Sequence, residues 1–249
     1  MKKILLYSGG LDSWLIDKIW KPDIKLYVDI NGSYSKEEMD KLPEDVIIEH
    51  LDLSKWELDN KIVPLRNLYF IMVASNYATG DKYEQYEICL GATAGDRVLD
   101  KSVEFANKAT DMLNYLYQEQ WWTDEKKFRI NLDFKDFTKK ELLEQFLSMG
   151  GQLDDAFYSS FSCYNPTEEG TECWSCKPCF RKFVTFFMMG KSYGKEIEES
   201  VYYYLKKNIV PKIAAGNYGR GEVEEANIMT TYSFLKFSHE KRVGKDGKV

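Results

Sequence analysis

Two groups of residues in this chain have the types and spacing to do chemistry. The first is Ser8-Gly9-Gly10-Leu11-Asp12-Ser13, placed between the apolar run Ile4-Leu5-Leu6-Tyr7 and a stretch with apolar residues at helical spacing, Trp14-Leu15-Ile16 and Ile19-Trp20. Strand, glycine turn and helix start in that order make an anion cradle. Adjacent glycines let backbone N–H groups approach a phosphate with no Cβ in the way, and a helix N-terminus adds partial positive charge. Ser13 is the expected N-cap, and the hydroxyls of Ser8 and Ser13 add donors. No Gly-Lys-Ser/Thr follows, so this is not a Walker A loop, and it is not the dinucleotide G-x-G-x-x-G either. The second group is Cys163, Cys173, Cys176 and Cys179, spaced C-x9-C-x2-C-x2-C. Cysteines three apart can point at one centre across a tight knuckle, and four thiolates complete the tetrahedron of a structural zinc site. Lys177, Arg181 and Lys182 lie where they offset its charge. A redox pair or scattered core thiols are the alternatives, and the tight clustering argues against scatter. Cys89, alone in Ile88-Cys89-Leu90, reads as a small buried strand residue.

The elements that must position these groups form a ladder. Strands are expected at 4–7, 24–30, 46–50, 86–90 and 129–134, with helical patterns between them at 13–20, 36–41, 68–79, 101–118 and 139–149. Alternation of this kind predicts an α/β fold, a doubly wound parallel sheet with right-handed crossovers, whose ligand lies beyond the carboxyl ends of the strands. Asn31-Gly32-Ser33 and Gly91-Ala92-Thr93-Ala94-Gly95-Asp96 both fall at that edge. The pattern divides the chain into a nucleotide-binding domain at 1–150, a zinc-knuckle and helical region at 151–235, and a basic tail at 236–249 that reads as flexible. Residues 156–179 read as loop around the cysteines, 180–189 as a dense apolar run and 197–208 as a helix. Tyr202-Tyr203-Tyr204 reads as packing, while Trp121-Trp122 and Phe186-Phe187 stay open between a dimer interface and a core.

At 249 residues with 44% apolar content the chain is long enough for one well-packed core and an appendage. A net charge of −6 disfavours a general nucleic-acid binder, which needs clustered Lys and Arg. No stretch approaches the ~18 apolar residues of a membrane span, and the sequence opens on a strand pattern with no signal peptide, so the chain reads as cytoplasmic.

The S-G-G-L-D-S loop resembles that of PP-loop ATP pyrophosphatases, which hold the β,γ-phosphates of ATP and cut between α and β. With the cysteines added, the chain looks like the 7-cyano-7-deazaguanine synthase family, zinc-containing PP-loop enzymes of the queuosine pathway. The resemblance runs from the start to about Met189. Pro64-Leu65-Arg66-Asn67-Leu68-Tyr69-Phe70 is similar to the family's P-x-R-N-x-x-F block, Ile88-Cys89-Leu90-Gly91 to its strand-to-glycine block, and Thr138-Lys139-Lys140-Glu141-Leu142 to its T-K-x-E-I/L helix start. Ser162-Cys163-Tyr164 and Cys173 to Arg181 are similar to its zinc segment, with the arginine one position early.

The resemblance implies a PP-loop, adenine nucleotide α-hydrolase-like fold with a C-terminal zinc-binding helical segment. It also implies an ATP-dependent ligase that turns 7-carboxy-7-deazaguanine and ammonia into the nitrile through an adenylated carboxylate and then an adenylated amide, with AMP and pyrophosphate released. Its cofactors would be structural Zn2+, Mg2+ and ATP, and the family often forms homodimers. Ser8, Gly9, Gly10, Leu11, Asp12, Ser13 and Gly91 would bind ATP, with Asp12 near the magnesium–phosphate cluster and Asp12, Ser13, Arg66 and Lys139 catalytic. Arg66 as a helix cap with Asn67, and Lys139 as an ordinary first-turn residue, are equally open. One block departs from the family. Where D-x-S-G-Y-P-D-C-R-P-E-F is expected, residues 96–105 lack the Tyr-Pro and the Cys-Arg. Asp96 and Asp100 are the expected substrate contacts, Asp100 being almost equally explained as the start of a helix near Lys101. The altered block leaves open an amide product, transfer to another amine including a protein's, or a PP-loop tRNA-modifying enzyme.

Overall fold

The computed structural model describes residues 1–33, 35–59 and 61–246. Five strands, β1 (Lys2–Leu6), β2 (Ile24–Asp29), β3 (Val46–His50), β4 (Gln85–Cys89) and β5 (Lys127–Asn131), form one all-parallel sheet in the order β3-β2-β1-β4-β5. The chain winds outward from β1 to β3, then returns to start the other half at β4. The order reverses between β1 and β4, which opens a crevice at their carboxyl ends.

Period-two alternation explains how the sheet is covered on both sides. One face presents Ile4, Leu26, Val28, Tyr86, Ile88, Phe128 and Ile130 to α3 (Arg66–Ser75) and α4 (Val103–Leu116). The other presents Leu5, Tyr7, Tyr27 and Cys89 to α1 (Leu11–Trp20), α5 (Lys139–Ser148), α6 (Leu153–Ser159) and α7 (Lys177–Met188). Cys89 is a buried strand thiol, as its neighbours suggest. A short α2 (Ser35–Met39) precedes β3.

The C-terminal helices form a second core. Phe180, Phe183 and Val184 of α7 pack with Val201 and Tyr202 of α8 (Lys195–Tyr204), Leu205 and Ile209, and Ile228 and Leu235 of α10 (Glu222–Asp246). A π-helical turn at Leu205–Ile209 joins α8 to α9 (Val210–Ala214). Phe186, also on α7, belongs to the sheet-side core, so one helix ties the two together.

Three local expectations change, and one open choice narrows. Gly10, not Ser13, is the N-cap of α1, because the helix begins at Leu11; Ser13 sits inside the first turn and donates its hydroxyl back to the Gly10 carbonyl at 3.0 Å. The loop expected at 156–179 contains the end of α6, whose Ala156 is fully buried. The expected tail from Lys236 continues α10 to Asp246, because His239 stacks on Tyr202 and Arg242 pairs with Glu198; residues 247–249 lie outside the described residues. Trp121 is 96% exposed and Trp122 only edges onto Tyr117, so that pair is not core, whereas Phe186 is fully buried. Among the described residues no helix is long and apolar enough to cross a membrane.

Candidate active site at the switch point

The turn after β1 enters the crevice with Gly9 at φ +71°, a left-handed conformation that a residue with a Cβ adopts only at a cost. The Ser8 N–H donates to Ser13 Oγ at 3.2 Å, and the two hydroxyls lie 3.3 Å apart. Small side chains thus fold the turn onto the start of α1 and line it with donors. Asp12 projects from the first turn of α1, not from an exposed loop edge, and its carboxylate pairs with Lys139.

Lys139 reaches Asp12 because of how α5 begins. Thr138 caps the helix, its hydroxyl accepting from Glu141 N at 3.2 Å while the Glu141 carboxylate accepts from Thr138 N at 2.7 Å. This capping box fixes the entry angle and leaves Lys139 at the first helical position. Burial pushes its ammonium pKa down, and neighbouring Arg181 adds to that, while Asp12 opposes both. The cation is therefore held by its ion pair in a site that disfavours charge.

The turn after β4 forms the other wall. Gly91 (φ +62°) starts it, and Ala94 N donates to the Phe137 carbonyl at 2.9 Å, which ties the turn to the approach of α5. Thr93 Oγ1 reaches Asp12 Oδ2 at 3.4 Å, a bond that spans the crevice from wall to wall. Asp96 accepts from Lys101 Nζ at 2.9 Å and lies 3.4 Å from an Arg220 guanidinium nitrogen. Burial alone would raise its pKa; Lys101, Arg220 and Lys139 outweigh that and hold the carboxyl at about 2.

The remaining expected site residues stand elsewhere. Arg66 is the first residue of α3, with its guanidinium 5.8 Å from the Phe70 ring centroid and its charge felt by Glu38 and Tyr164. Burial pushes Glu38 up to about 7, against a 2.9 Å bond from Tyr27 Oη and the pull of Arg66. Asp100 does not start α4, because Ser102 is its cap; its carboxylate faces the first turn of α3, 3.4 Å from Asn67 N. An acid there complements the helix dipole.

The four cysteines converge. Cys163, Cys173, Cys176 and Cys179 bring their Sγ atoms within 4.8 Å of one another, with Cys173 and Cys179 at 4.0 Å. Zn–S bonds of ~2.3 Å in a tetrahedron require sulfurs roughly 3.8 Å apart, so the cluster fits such an ion with little adjustment. Three of the four are buried, which suits a closed site. The knuckle also supports the β1 turn. Leu11 N donates to Ser162 Oγ at 3.2 Å and Phe161 N to the Gly9 carbonyl at 2.9 Å. Beneath it, Lys182 Nζ donates to the Ser160 carbonyl at 2.6 Å and to Glu172, which in turn accepts from Ser162 N. Lys182 therefore ties up its charge in this pair. Ser162, Thr93, Lys182 and Arg181 lie in or beside the sequence blocks, but their long-range bonds are not written there, and Lys101 and Arg220 carry no such signal at all.

A family model described as queuosine biosynthesis protein QueC matches residues 24–190, which include Arg66, Lys139 and the four cysteines and start after the β1 turn. The 7-cyano-7-deazaguanine synthase of Citrifermentans bemidjiense is 25% identical over 220 residues, covering 76% of this chain and 94% of that protein. The enzyme of the same name from Methanocaldococcus jannaschii is 25% identical over 234 residues, covering 76% and 96%, and that of Geobacter sp. 24% over 220, covering 76% and 94%. With the parallel sheet, the crevice and the cysteine cluster in the same chain, the matched span places this protein in the QueC family.

Proposed function

We propose that the chain is an ATP-dependent carbon–nitrogen ligase that makes 7-cyano-7-deazaguanine from 7-carboxy-7-deazaguanine and ammonia. The observation that carries the reading is the near-complete coverage of three synthases by this chain, together with a donor-lined turn at the switch point. A carboxylate is a poor electrophile until one oxygen becomes a good leaving group. Attack on the α-phosphorus gives an acyl-adenylate and pyrophosphate; ammonia displaces AMP to give the amide; a second ATP activates the amide oxygen, and loss of AMP leaves the nitrile.

The chain's part is positioning and charge neutralisation. Ser8, Gly9, Gly10, Leu11 and Ser13 would cradle the departing pyrophosphate, with Gly91 at the nucleotide's edge. Asp12 would face the phosphates with Mg2+, which supplies further neutralising charge, and Lys139 keeps Asp12 aimed until they bind. Arg66 would meet the substrate from the Glu38–Tyr164 side. The cysteines would hold one structural Zn2+, which fixes the knuckle and, through Ser162, the start of α1. The enzyme would work as a soluble protein in a reducing cytoplasm, on small molecules, as a homodimer.

A second reading is favoured by one observation at the acceptor wall. Asp96 is already paired with Lys101 and Arg220, and Asp100 faces α3, so neither acid is free as the altered block would require of a base clamp. A ligase that stops at the amide, or passes the activated acyl group to another amine, needs less of that clamp. Incubation with ATP, Mg2+, ammonia and 7-carboxy-7-deazaguanine, followed by mass measurement of the base, separates these outcomes. The nitrile supports the first reading, an amide or a conjugate the second, and an unchanged base contradicts both.

A further inference from the structure

Beyond residue 190, where the family match ends, the chain sends one segment back onto the crevice. Residues 218–220, between α9 and α10, lie against residues 94–97. Arg220 Nη2 is 3.4 Å from the Ala94 carbonyl and 3.4 Å from Asp96 Oδ1, and the Arg97 guanidinium donates to the Tyr218 carbonyl. The contact is close enough to need glycine at 95, where a side chain would meet backbone, while at 219 it would meet only the movable end of Arg97. A Cβ on Gly95 (φ +80°) would sit 2.8 Å from the Arg220 carbonyl oxygen, and one on Gly219 (φ +62°) 2.4 Å from Arg97 Nη1. The first turn of α10 braces the segment from behind. Glu224 accepts from Tyr218 Oη at 2.7 Å and from Arg220 Nε at 3.3 Å, and Glu225 accepts from Gly219 N at 3.0 Å.

We infer that Arg220 is a positioning residue of the active site: through Asp96 it sets the turn after β4, and through Thr93 it sets Asp12. The path is continuous. Arg220 and Lys101 hold the Asp96 carboxylate from two directions, Asp96 Oδ2 lies 3.4 Å from Thr93 N, and Thr93 Oγ1 reaches Asp12. Asp96 is thereby a strut between the C-terminal region and the phosphate-facing acid, which explains why an acid beside the crevice carries two cations of its own chain. The catalytic part of the inference rests on the nucleotide reading given above; the structural part does not.

The test compares wild type with Arg220→Ala, Arg220→Lys, Asp96→Asn and the double variant Arg220→Ala/Asp96→Asn. Amide hydrogen exchange is read at residues 92–96 and, as an internal control, in β1. Arg220→Ala should speed exchange at 92–96 by about tenfold and leave β1 unchanged, since one charge-assisted bond to a half-buried carboxylate is lost. The KM for ATP should rise by a similar factor with kcat changed much less. Arg220→Lys, which keeps the charge and loses the fork, should recover part of both effects and serves as the probe if the alanine variant does not fold. The double variant should be no worse than Asp96→Asn alone, since the two act through one carboxylate. Unchanged exchange at 92–96 overturns the strut. Faster exchange with an unchanged KM in an active enzyme overturns the link to Asp12, and a wild type that never consumes ATP removes the nucleotide reading while the exchange result still judges the strut.

Discussion

The turn after β1 builds its half of the crevice from six consecutive residues, Ser8 to Ser13, whose hydroxyls fold the loop and whose backbone is backed by Phe161 and Ser162 of the knuckle. The turn after β4 builds the other half from residues held by groups outside the turn: Lys101, Phe137 and Arg220. Both sit at the same edge of the same sheet, and both use a left-handed glycine. Each has an acid matched by cations, Asp12 by Lys139 in the first and Asp96 by Lys101 and Arg220 in the second; the first adds the paired hydroxyls of Ser8 and Ser13. A turn written in consecutive small residues is legible as a motif, whereas a turn held through its anchors depends on them, and the Thr93–Asp12 contact passes that dependence to the first.

The largest expected effect lies in the β1 half. Asp12→Ala should cut turnover by about 10²–10³-fold, the scale of losing one group preorganised for developing charge, and leave the Lys139 ammonium without its partner. Rates of AMP release, with circular dichroism to check the fold, decide this. A loss under threefold would mean that the Asp12–Lys139 pair is only structural. The cysteine cluster should matter to the same half. Cys176→Ser should release about one zinc per chain by metal analysis, lower the thermal midpoint and weaken nucleotide binding together, because Ser162 bonds to Leu11 N. Loss of metal with unaltered nucleotide affinity would break that coupling.

The β4 half makes a sharper distinction between two glycines. Both Gly91 and Gly95 have positive φ, but a Cβ at Gly91 has only the Leu6 carbonyl, 3.8 Å away, whereas at Gly95 it meets backbone at 2.8 Å. Gly91→Ala should cost about 1–2 kcal/mol of conformational strain, and Gly95→Ala more than that, measured by urea unfolding. Equal costs would mean that the 218–220 segment is not pressed against the turn. The smallest effect is a pH dependence. Asp96 has its pKa lowered in the folded state to about 2, so its contribution to stability is complete above the ordinary carboxyl range near 4 and is lost as pH falls through 2. Wild type should therefore lose at most about 2 kcal/mol across that window that Asp96→Asn does not lose. Parallel acid-unfolding curves for the two proteins would contradict the paired assignment.

What was legible in the sequence follows the same line. Periodicity gives all five strands, and the helices between them, to within a few residues; burial on both faces writes apolar runs into the inner strands, while β5 alternates and β3, at the edge, is largely exposed. The β1 turn and the cysteine knuckle are legible because their ligating groups are close in sequence, so spacing carries geometry. The sequence offers Ser13 as a cap, but glycine can start a helix without a side-chain bond, and residues 236–246 read as tail because their anchors, Tyr202 and Glu198, sit on another helix. Asp96 and Asp100 could be recognised as acids at the right edge, but not as acids already engaged. Their partners, Arg220 and Asn67, are distant in sequence, and no local pattern encodes a bond that only the folded chain makes.

On the proposed function this crevice holds ATP for cleavage between the α- and β-phosphates, with a carboxylate as the acceptor of the adenylyl group. The most direct measurement is phosphorus NMR of the purified protein with ATP and Mg2+, with and without 7-carboxy-7-deazaguanine and ammonia. The account predicts AMP and pyrophosphate in equal amounts, formed when the acceptor is present. ADP and inorganic phosphate as products, or no nucleotide change with the acceptor present, would contradict it.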